Sequence, residues 1–168
     1  MVLEIPKRLY EEAVKRGIDV EDLVIQTLIE KLQLDPKDSA KARLELAERL
    51  LAEAREYVEK NDVVQASEKL YKAAEECVKA LAEAYNAPQL GEVKKRGRGD
   101  TWLLGMAATD LSKMLNEDRI RLAWKDAYDI HVWGFHEAKY RIDDVKAALP
   151  LVEWLVEYTK RKLGEAPQ

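Results

Sequence analysis

The chain is poor in cysteine and in long apolar runs, and each scarcity excludes a class of protein. It has a single cysteine, Cys77, which excludes an internal disulfide and a metal site built from several thiolates. No stretch approaches the roughly eighteen uninterrupted apolar residues expected of a membrane-spanning helix. The N-terminus lacks a basic region followed by an apolar run. We therefore expect a cytoplasmic protein that makes no contact with a membrane.

Charge is plentiful but balanced. The formal net charge of -4 at pH 7 argues against a surface built entirely for nucleic acid. Glu, Lys and Arg supply most of the charge while Asn and Gln are scarce, a composition that fits a thermophilic source. A length of 168 residues suits one domain with a small appendage.

The spacing of apolar residues predicts an all-α protein. Helices are expected over residues 7–16, 20–33, 39–60, 63–85, 101–115, 118–140 and 143–163, with a bend near Pro150. The two long helices before residue 86 are joined by two polar residues, which indicates an antiparallel hairpin. The fold class is an antiparallel up-and-down bundle of four to five long helices with an N-terminal helical hairpin extension. The domains are residues 1–36 and residues 37–168.

The N-terminal segment resembles a ribbon-helix-helix module over residues 1–34, with a short strand-like stretch before two helices. In DNA-binding versions the strand presents polar or basic side chains to the major groove. Here Val2, Leu3, Glu4 and Ile5 suit pairing or burial better than DNA contact. We therefore favour a dimerisation arm or a helical cap on the bundle over a DNA-binding role.

Most of the candidate site residues of the chain lie in residues 124–136. They hold both histidines, the only phenylalanine and two of the four tryptophans. On an α-helical wheel Trp124, Tyr128, His131 and Phe135 share one face. His136 lies about 140° from His131, and groups with Asp129, Trp133 and Tyr140. The candidates for ligand binding are Trp124, Tyr128, His131, Trp133, Phe135, His136 and Tyr140. The candidates for catalysis are His131, His136 and Asp129.

Several interpretations of this segment stay open. His131 is either a buried imidazole bonded to a neighbouring helix, or a ligand-binding or catalytic group in a bundle cavity. His136 is either solvated or paired with Asp129 as an acid–base couple. The two histidines lack the i, i+4 spacing that chelates a metal from a straight helix, so we expect no metal and no cofactor. Gly134 costs about 1 kcal/mol in a helix interior, which predicts that another backbone or a ligand approaches closely there.

A basic stretch is the second candidate site. Its cationic residues are Lys94, Lys95, Arg96 and Arg98, set among glycines in the longest predicted loop. They either contact phosphates of a nucleotide, RNA or DNA, together with the helix N-terminus near Thr101, or form a solvated cationic loop.

A family resemblance rests mainly on the aromatic–histidine run. The pattern Ala123-Trp124-x-x-Ala127-Tyr128-x-x-His131-x-x-Gly134-Phe135-His136-Glu137 resembles the archaeal PaREP-type proteins, as do the preceding hairpin and the helix start at Trp102. That family is grouped with HEPN-type helical bundles. The resemblance implies nucleotide binding, partnership with a minimal nucleotidyltransferase, or RNA cleavage.

The ribonuclease version of that fold needs an Arg separated from a following His by four to six residues. The positions that would hold it are Trp124, Lys125, Asp126, Asp129, Ile130 and His131, and none is arginine. Lysine does not replace the planar guanidinium that grips phosphate bidentately. We therefore expect a binding or interaction module that forms a homodimer. The alternatives are an enzyme that acts on nucleotides or RNA through His131 or His136, and a non-catalytic partner subunit of a nucleotidyltransferase.

Overall fold

The computed structural model describes residues 2–91 and 101–165 of the chain. Within these ranges every regular element is helical and there is no strand. Residues 2–5, the candidate strand, have no regular secondary structure. Among the helices of residues 2–91 and 101–165, none combines the length and the hydropathy that a membrane span requires.

The chain divides into two compact units, residues 1–35 and 36–168. In the first unit, α1 (Lys7–Lys15) and α2 (Val20–Leu32) form a short helical pair. Asp19 caps α2 as predicted, because its carboxylate accepts hydrogen bonds from two amides of the first turn. Neither helix contains a buried residue.

Five α-helices and one π-helical segment of the second unit lie wholly within the described residues. They are α3 (Pro36–Glu59), α4 (Val63–Ala84), α5 (Thr101–Met114), α6 (Arg119–Ile130), the π-helical segment (His131–His136) and α7 (Ile142–Glu165). The helix of residues 142–165 is continuous through Pro150. These bounds agree with the sequence prediction to within a few residues, except over residues 131–141.

Local sequence signals explain where most of these helices begin and end. Asp62 caps α4 by accepting a hydrogen bond from the Gln65 amide. Asn61 and Asn116 adopt the left-handed conformation that ends the helices before them. Only residues 60–62 separate α3 from α4, and the two helices pack along their length as the predicted antiparallel hairpin.

Helix α4 lies at the centre of the second unit. It packs against α3, α5, α6, the π-helical segment and α7. Its fully buried side chains include Leu70, Leu81 and Val78, and they form a core with apolar residues of the surrounding helices. One face of α4 therefore supports the aromatic–histidine segment.

Candidate functional site

The predicted helix over residues 118–140 is wrong in its second half. The α-helix ends at Ile130, and residues 131–136 form a π-helical segment instead. The Glu137 amide donates to the Val132 carbonyl at 2.9 Å, the i to i+5 pattern of a π turn. Ala138 then adopts a left-handed conformation with φ of 49°, and the chain leaves the helix.

A close approach between helices accompanies the π turn. Gly134 is buried, and a Cβ built on it would lie 2.1 Å from Ser67 Oγ of α4. The sequence predicted that a backbone or a ligand approaches this glycine. The neighbour is a serine side chain, so Gly134 serves the packing of the π-helical segment on α4.

The π turn brings the two histidines together. Their Nε2 atoms lie 3.0 Å apart, and their rings are nearly perpendicular with centroids 4.4 Å apart. The prediction that His131 and His136 occupy different faces is therefore wrong. The wheel assumed α-helical rotation throughout, whereas a π turn closes on residue i+5 and places these side chains side by side.

Aromatic rings surround His131 on both the buried and the exposed side. Its ring stacks on Tyr71 of α4 with centroids 3.9 Å apart and planes at 22°. It also lies nearly parallel to Phe135, with centroids 5.7 Å apart. Tyr128 lies 6.3 Å from it and is 41% exposed. We call Tyr128, His131, Phe135 and His136 the aromatic–histidine face.

The environment keeps His131 uncharged. Burial, with a smaller contribution from His136, lowers the pKa of the His131 imidazole to about 4. Glu68 opposes this effect and Lys72 adds to it. At neutral pH the ring is therefore a neutral group that stacks and makes hydrogen bonds.

Asp129 is engaged by a residue other than His136. The Tyr140 hydroxyl donates to Asp129 Oδ2 at 2.6 Å, and this hydrogen bond raises the pKa of the Tyr140 phenol. The Nε2 of His136 faces His131 instead. The structure thus pairs Asp129 with Tyr140, and the suggested couple of His136 and Asp129 is not the arrangement found.

The two tryptophans of the segment lie in different environments. Trp124 is 5% exposed, and its ring contacts Tyr71 and Tyr128 at centroid distances of 5.7 and 6.4 Å. It belongs to the core behind the aromatic–histidine face. Trp133 is 44% exposed, and its carbonyl oxygen accepts the amides of Lys139 and Tyr140 where the π-helical segment ends.

The predicted phosphate contacts at Lys94, Lys95, Arg96 and Arg98 lie outside the described residues. Within the described ranges, no group of three or more His, Cys, Asp and Glu side chains is placed to hold a metal ion. The sole cysteine is buried in α4, and burial raises the pKa of the Cys77 thiol to about 12.

Comparison with known proteins assigns the chain to a family. The model of the archaeal PaREP1/PaREP8 family matches residues 42–156, which include both histidines and Tyr71. The chain belongs to this family. A search of the curated proteins gives no match.

Solved structures also resemble this PaREP protein. A crystal structure of a Sulfolobus solfataricus protein is 38% identical, with a TM-score of 0.62, over 70% of this chain and 95% of that one. A solution structure of an open-reading-frame product is 38% identical, with a TM-score of 0.61, over 70% of this chain and 90% of that one.

Sequence reasoning missed Tyr71, which this PaREP protein places under the His131 ring. The sequence signal for Tyr71 is its helical spacing, because Ser67, Tyr71 and Ala74 share one face of α4 and all three are buried. Burial strongly raises the pKa of the Tyr71 phenol, and the nearby Glu75 carboxylate adds to that effect. Tyr71 is therefore a neutral packing partner for the imidazole.

A buried ionic cluster between α3 and α4 was also missed. Arg43, only 3% exposed, donates to Glu76 at 2.9 Å and to Glu83 at 2.9 Å. Lys79 contacts Glu76 at 3.2 Å, and the Ser39 hydroxyl donates to Glu83. Although burial acts to lower the pKa of Arg43, the two carboxylates outweigh it and the pKa rises. The guanidinium therefore stays charged in the core.

Proposed function

We propose that this chain is a non-catalytic binding module that holds a nucleobase against the aromatic–histidine face. The base belongs either to a free nucleotide or to single-stranded RNA, since both present the same flat heterocycle. The observation that carries the proposal is the set of nearly parallel rings of Tyr71, His131 and Phe135. Such rings form a platform on which any base can stack.

The exposure of the rings supports a ligand on the outer side of this platform. Tyr71 is 5% exposed and forms the inner layer. Phe135 and His131 are half-buried, while Tyr128 and His136 are exposed. A base laid on this face would cover apolar ring surface and meet, at its edge, the exposed His136 imidazole, whose Nδ1 donates or accepts a hydrogen bond. The resemblance to HEPN-type proteins, some of which bind nucleotides, points in the same direction.

Two observations favour binding over catalysis. The Asp129 carboxylate is occupied by the Tyr140 hydroxyl, so it does not orient a histidine as a general base requires. The sequence also lacks the arginine that precedes histidine in the RNA-cleaving version of the fold. The face therefore provides stacking and hydrogen bonds without an assembled acid–base pair.

The test begins with the purified full chain and no added ligand. Ultraviolet absorbance at 260 and 280 nm and native mass spectrometry show whether a nucleotide or RNA co-purifies. Binding of nucleoside monophosphates and of a short single-stranded RNA is then titrated in EDTA. The two arms distinguish a free nucleotide from RNA as the source of the base.

Substitutions at the face sharpen the result. Tyr128→Ala should weaken binding by about 5- to 150-fold, the loss expected for one stacked base. Tyr57→Ala removes a half-buried tyrosine from α3, outside the face, and is the matched control. Absence of binding to every nucleotide and RNA, or equal binding by Tyr128→Ala and the native chain, contradicts the proposal.

We further propose that the first unit joins two copies of the chain. Nine of its large apolar side chains are exposed: Val2, Leu3, Leu9, Tyr10, Val14, Ile18, Leu23, Leu28 and Leu32. Residues 7–16 carry four basic and two acidic side chains, whereas residues 19–32 carry four acidic and one basic. A two-fold dimer that sets α1 of one copy against α2 of the other would cover the apolar groups and pair these charges.

Sedimentation or light scattering of the full chain tests this assembly. Leu23→Lys with Leu28→Lys should convert a dimer to a monomer, because two charges would enter the apolar contact. The pair Lys125→Ala and Asp126→Ala, at exposed positions of the second unit, is the control. A native chain that is monomeric at all concentrations, or a lysine variant that remains dimeric, contradicts the proposal.

A further inference from the structure

The facing imidazoles of His131 and His136 have the geometry of a two-nitrogen chelate. Their Nε2 atoms are 3.0 Å apart while the ring centroids are 4.4 Å apart. The two nitrogens therefore lie on the facing edges of their rings. The π turn supplies this arrangement from an i, i+5 spacing that an α-helix would not bring together.

The separation of the nitrogens indicates the class of metal ion. For metal–nitrogen distances of about 2.0–2.1 Å, a 3.0 Å separation subtends an angle of roughly 91–97° at the ion. A regular tetrahedral site would instead need nitrogens about 3.3 Å apart. Angles near 90° belong to neighbouring positions of a square-planar or tetragonal ion, the geometry of Cu(II) and Ni(II) in nitrogen and oxygen sites.

Access and protonation are compatible with such an ion. The side chain of His136 is exposed, so an ion reaches the pair from solvent. Chelation requires a lone pair on both Nε2 atoms, so each ring must carry its proton on Nδ1. In the metal-free chain one of the two Nε2 atoms carries the proton of their mutual hydrogen bond, so binding of the ion moves that proton to Nδ1 of the same ring.

We infer that His131 and His136 bind one late first-row divalent ion, Cu(II) most tightly, through their Nε2 atoms. The order of affinities follows the Irving–Williams series for nitrogen ligands. No third His, Cys, Asp or Glu joins the pair within the described ranges, so the remaining positions on the ion are open to water or to a ligand. The site does not depend on nucleobase binding.

The experiment titrates Cu²⁺ alone into the tag-free full chain by calorimetry and records its electron paramagnetic resonance spectrum. We expect one ion per chain and an axial spectrum with coupling to two nitrogens. His136→Asn alters an exposed position and should weaken binding by about 100-fold, because a two-point attachment becomes a single one. His131→Asn should weaken binding by a similar factor, and both changes together should abolish it because no imidazole remains.

Glu137→Gln is the matched control, since it removes an exposed neighbouring carboxylate and keeps both imidazoles. It should bind Cu²⁺ as the native chain does. Native affinity in His136→Asn, coupling to a single nitrogen, or an equal loss in Glu137→Gln overturns the inference. Because nucleotide binding is measured in EDTA and copper binding without nucleotide, failure of one proposal is distinguishable from failure of the other.

Discussion

Gly134 lies directly against Ser67: a Cβ at Gly134 would be 2.1 Å from Ser67 Oγ and 2.9 Å from Ser67 Cβ. The hydroxyl can rotate away, but the Cβ of a buried helix cannot move without shifting α4. This contact holds the π-helical segment at a fixed distance from the central helix. It therefore sets the positions of His131 and His136 as well.

Gly134→Ala should destabilise the protein by about 1–3 kcal/mol, the usual cost of overpacking a core, despite the better helix propensity of alanine. Ser67→Gly should partly restore the stability of the Gly134→Ala chain, because both clashing atoms are removed. Urea unfolding measures each free energy. Gly164→Ala is the control, since nothing lies within 4 Å of its Cβ and it should be neutral or stabilising. A Gly134→Ala chain as stable as the native one contradicts this account.

Ala138 ends the π-helical segment with φ of 49°, a conformation that costs alanine about 1–2 kcal/mol relative to its preferred states. Ala138→Gly should therefore stabilise the fold by about 0.5–1 kcal/mol, less than the full strain because glycine also has more freedom when unfolded. Ala138→Val should destabilise it, since a β-branched residue fits this region poorly. Thermal unfolding of the three chains gives the order, and a less stable glycine variant would refute the prediction.

His131 should make the fold sensitive to mild acid. Its folded pKa of about 4 lies below the unfolded value of 6.5, so the unfolded chain binds more protons between these limits. The stabilising contribution is complete above about pH 6.5 and is lost as the pH falls towards 4. Because the ring is partly solvated, the loss is on the order of 2 kcal/mol.

The groups that face His131 are His136 and, from α4, Tyr71, Glu68 and Lys72. To isolate the contribution of His131, the native chain is compared with His131→Gln. The free energy of unfolding is measured for both between pH 4.5 and 7, which cancels the titration of the groups that do not interact with His131. The difference between the two chains should grow in favour of the native protein as the pH rises. A difference that is constant across this range would show that the folded pKa of His131 is not lowered.

The buried Arg43 should be the most sensitive charged position of the core. Arg43→Met leaves the Glu76 and Glu83 carboxylates without their guanidinium in a buried site, which should cost about 3–5 kcal/mol. Arg55→Met breaks a comparable ion pair with Glu153, at 2.8 Å, but both side chains are partly exposed. Its cost should stay below about 1 kcal/mol. Equal effects of the two substitutions in urea unfolding would contradict this prediction.

The sequence by itself determined most of the helices of this protein. Asp19 and Asp62 cap helices because short carboxylates beside an apolar periodic stretch satisfy free amides, a purely local effect. Asn61 and Asn116 end helices because asparagine tolerates the left-handed conformation. The motif around His131 also identified the family correctly. These features depend on residues that are close together in the sequence, so the sequence alone predicts them.

The tertiary structure alone decided the arrangement of the candidate site. The π turn lies where Gly134 packs against Ser67 of α4, and the spacing of apolar residues along the sequence does not predict that contact. One additional residue in the turn rotates His136 onto the face of His131, which reversed the prediction from the helical wheel. Tyr71, which lies beneath the aromatic–histidine face and stacks on His131, comes from a helix some sixty residues earlier. Side chains so distant in sequence meet only when the helices pack, and the chemistry of the site depends on that packing.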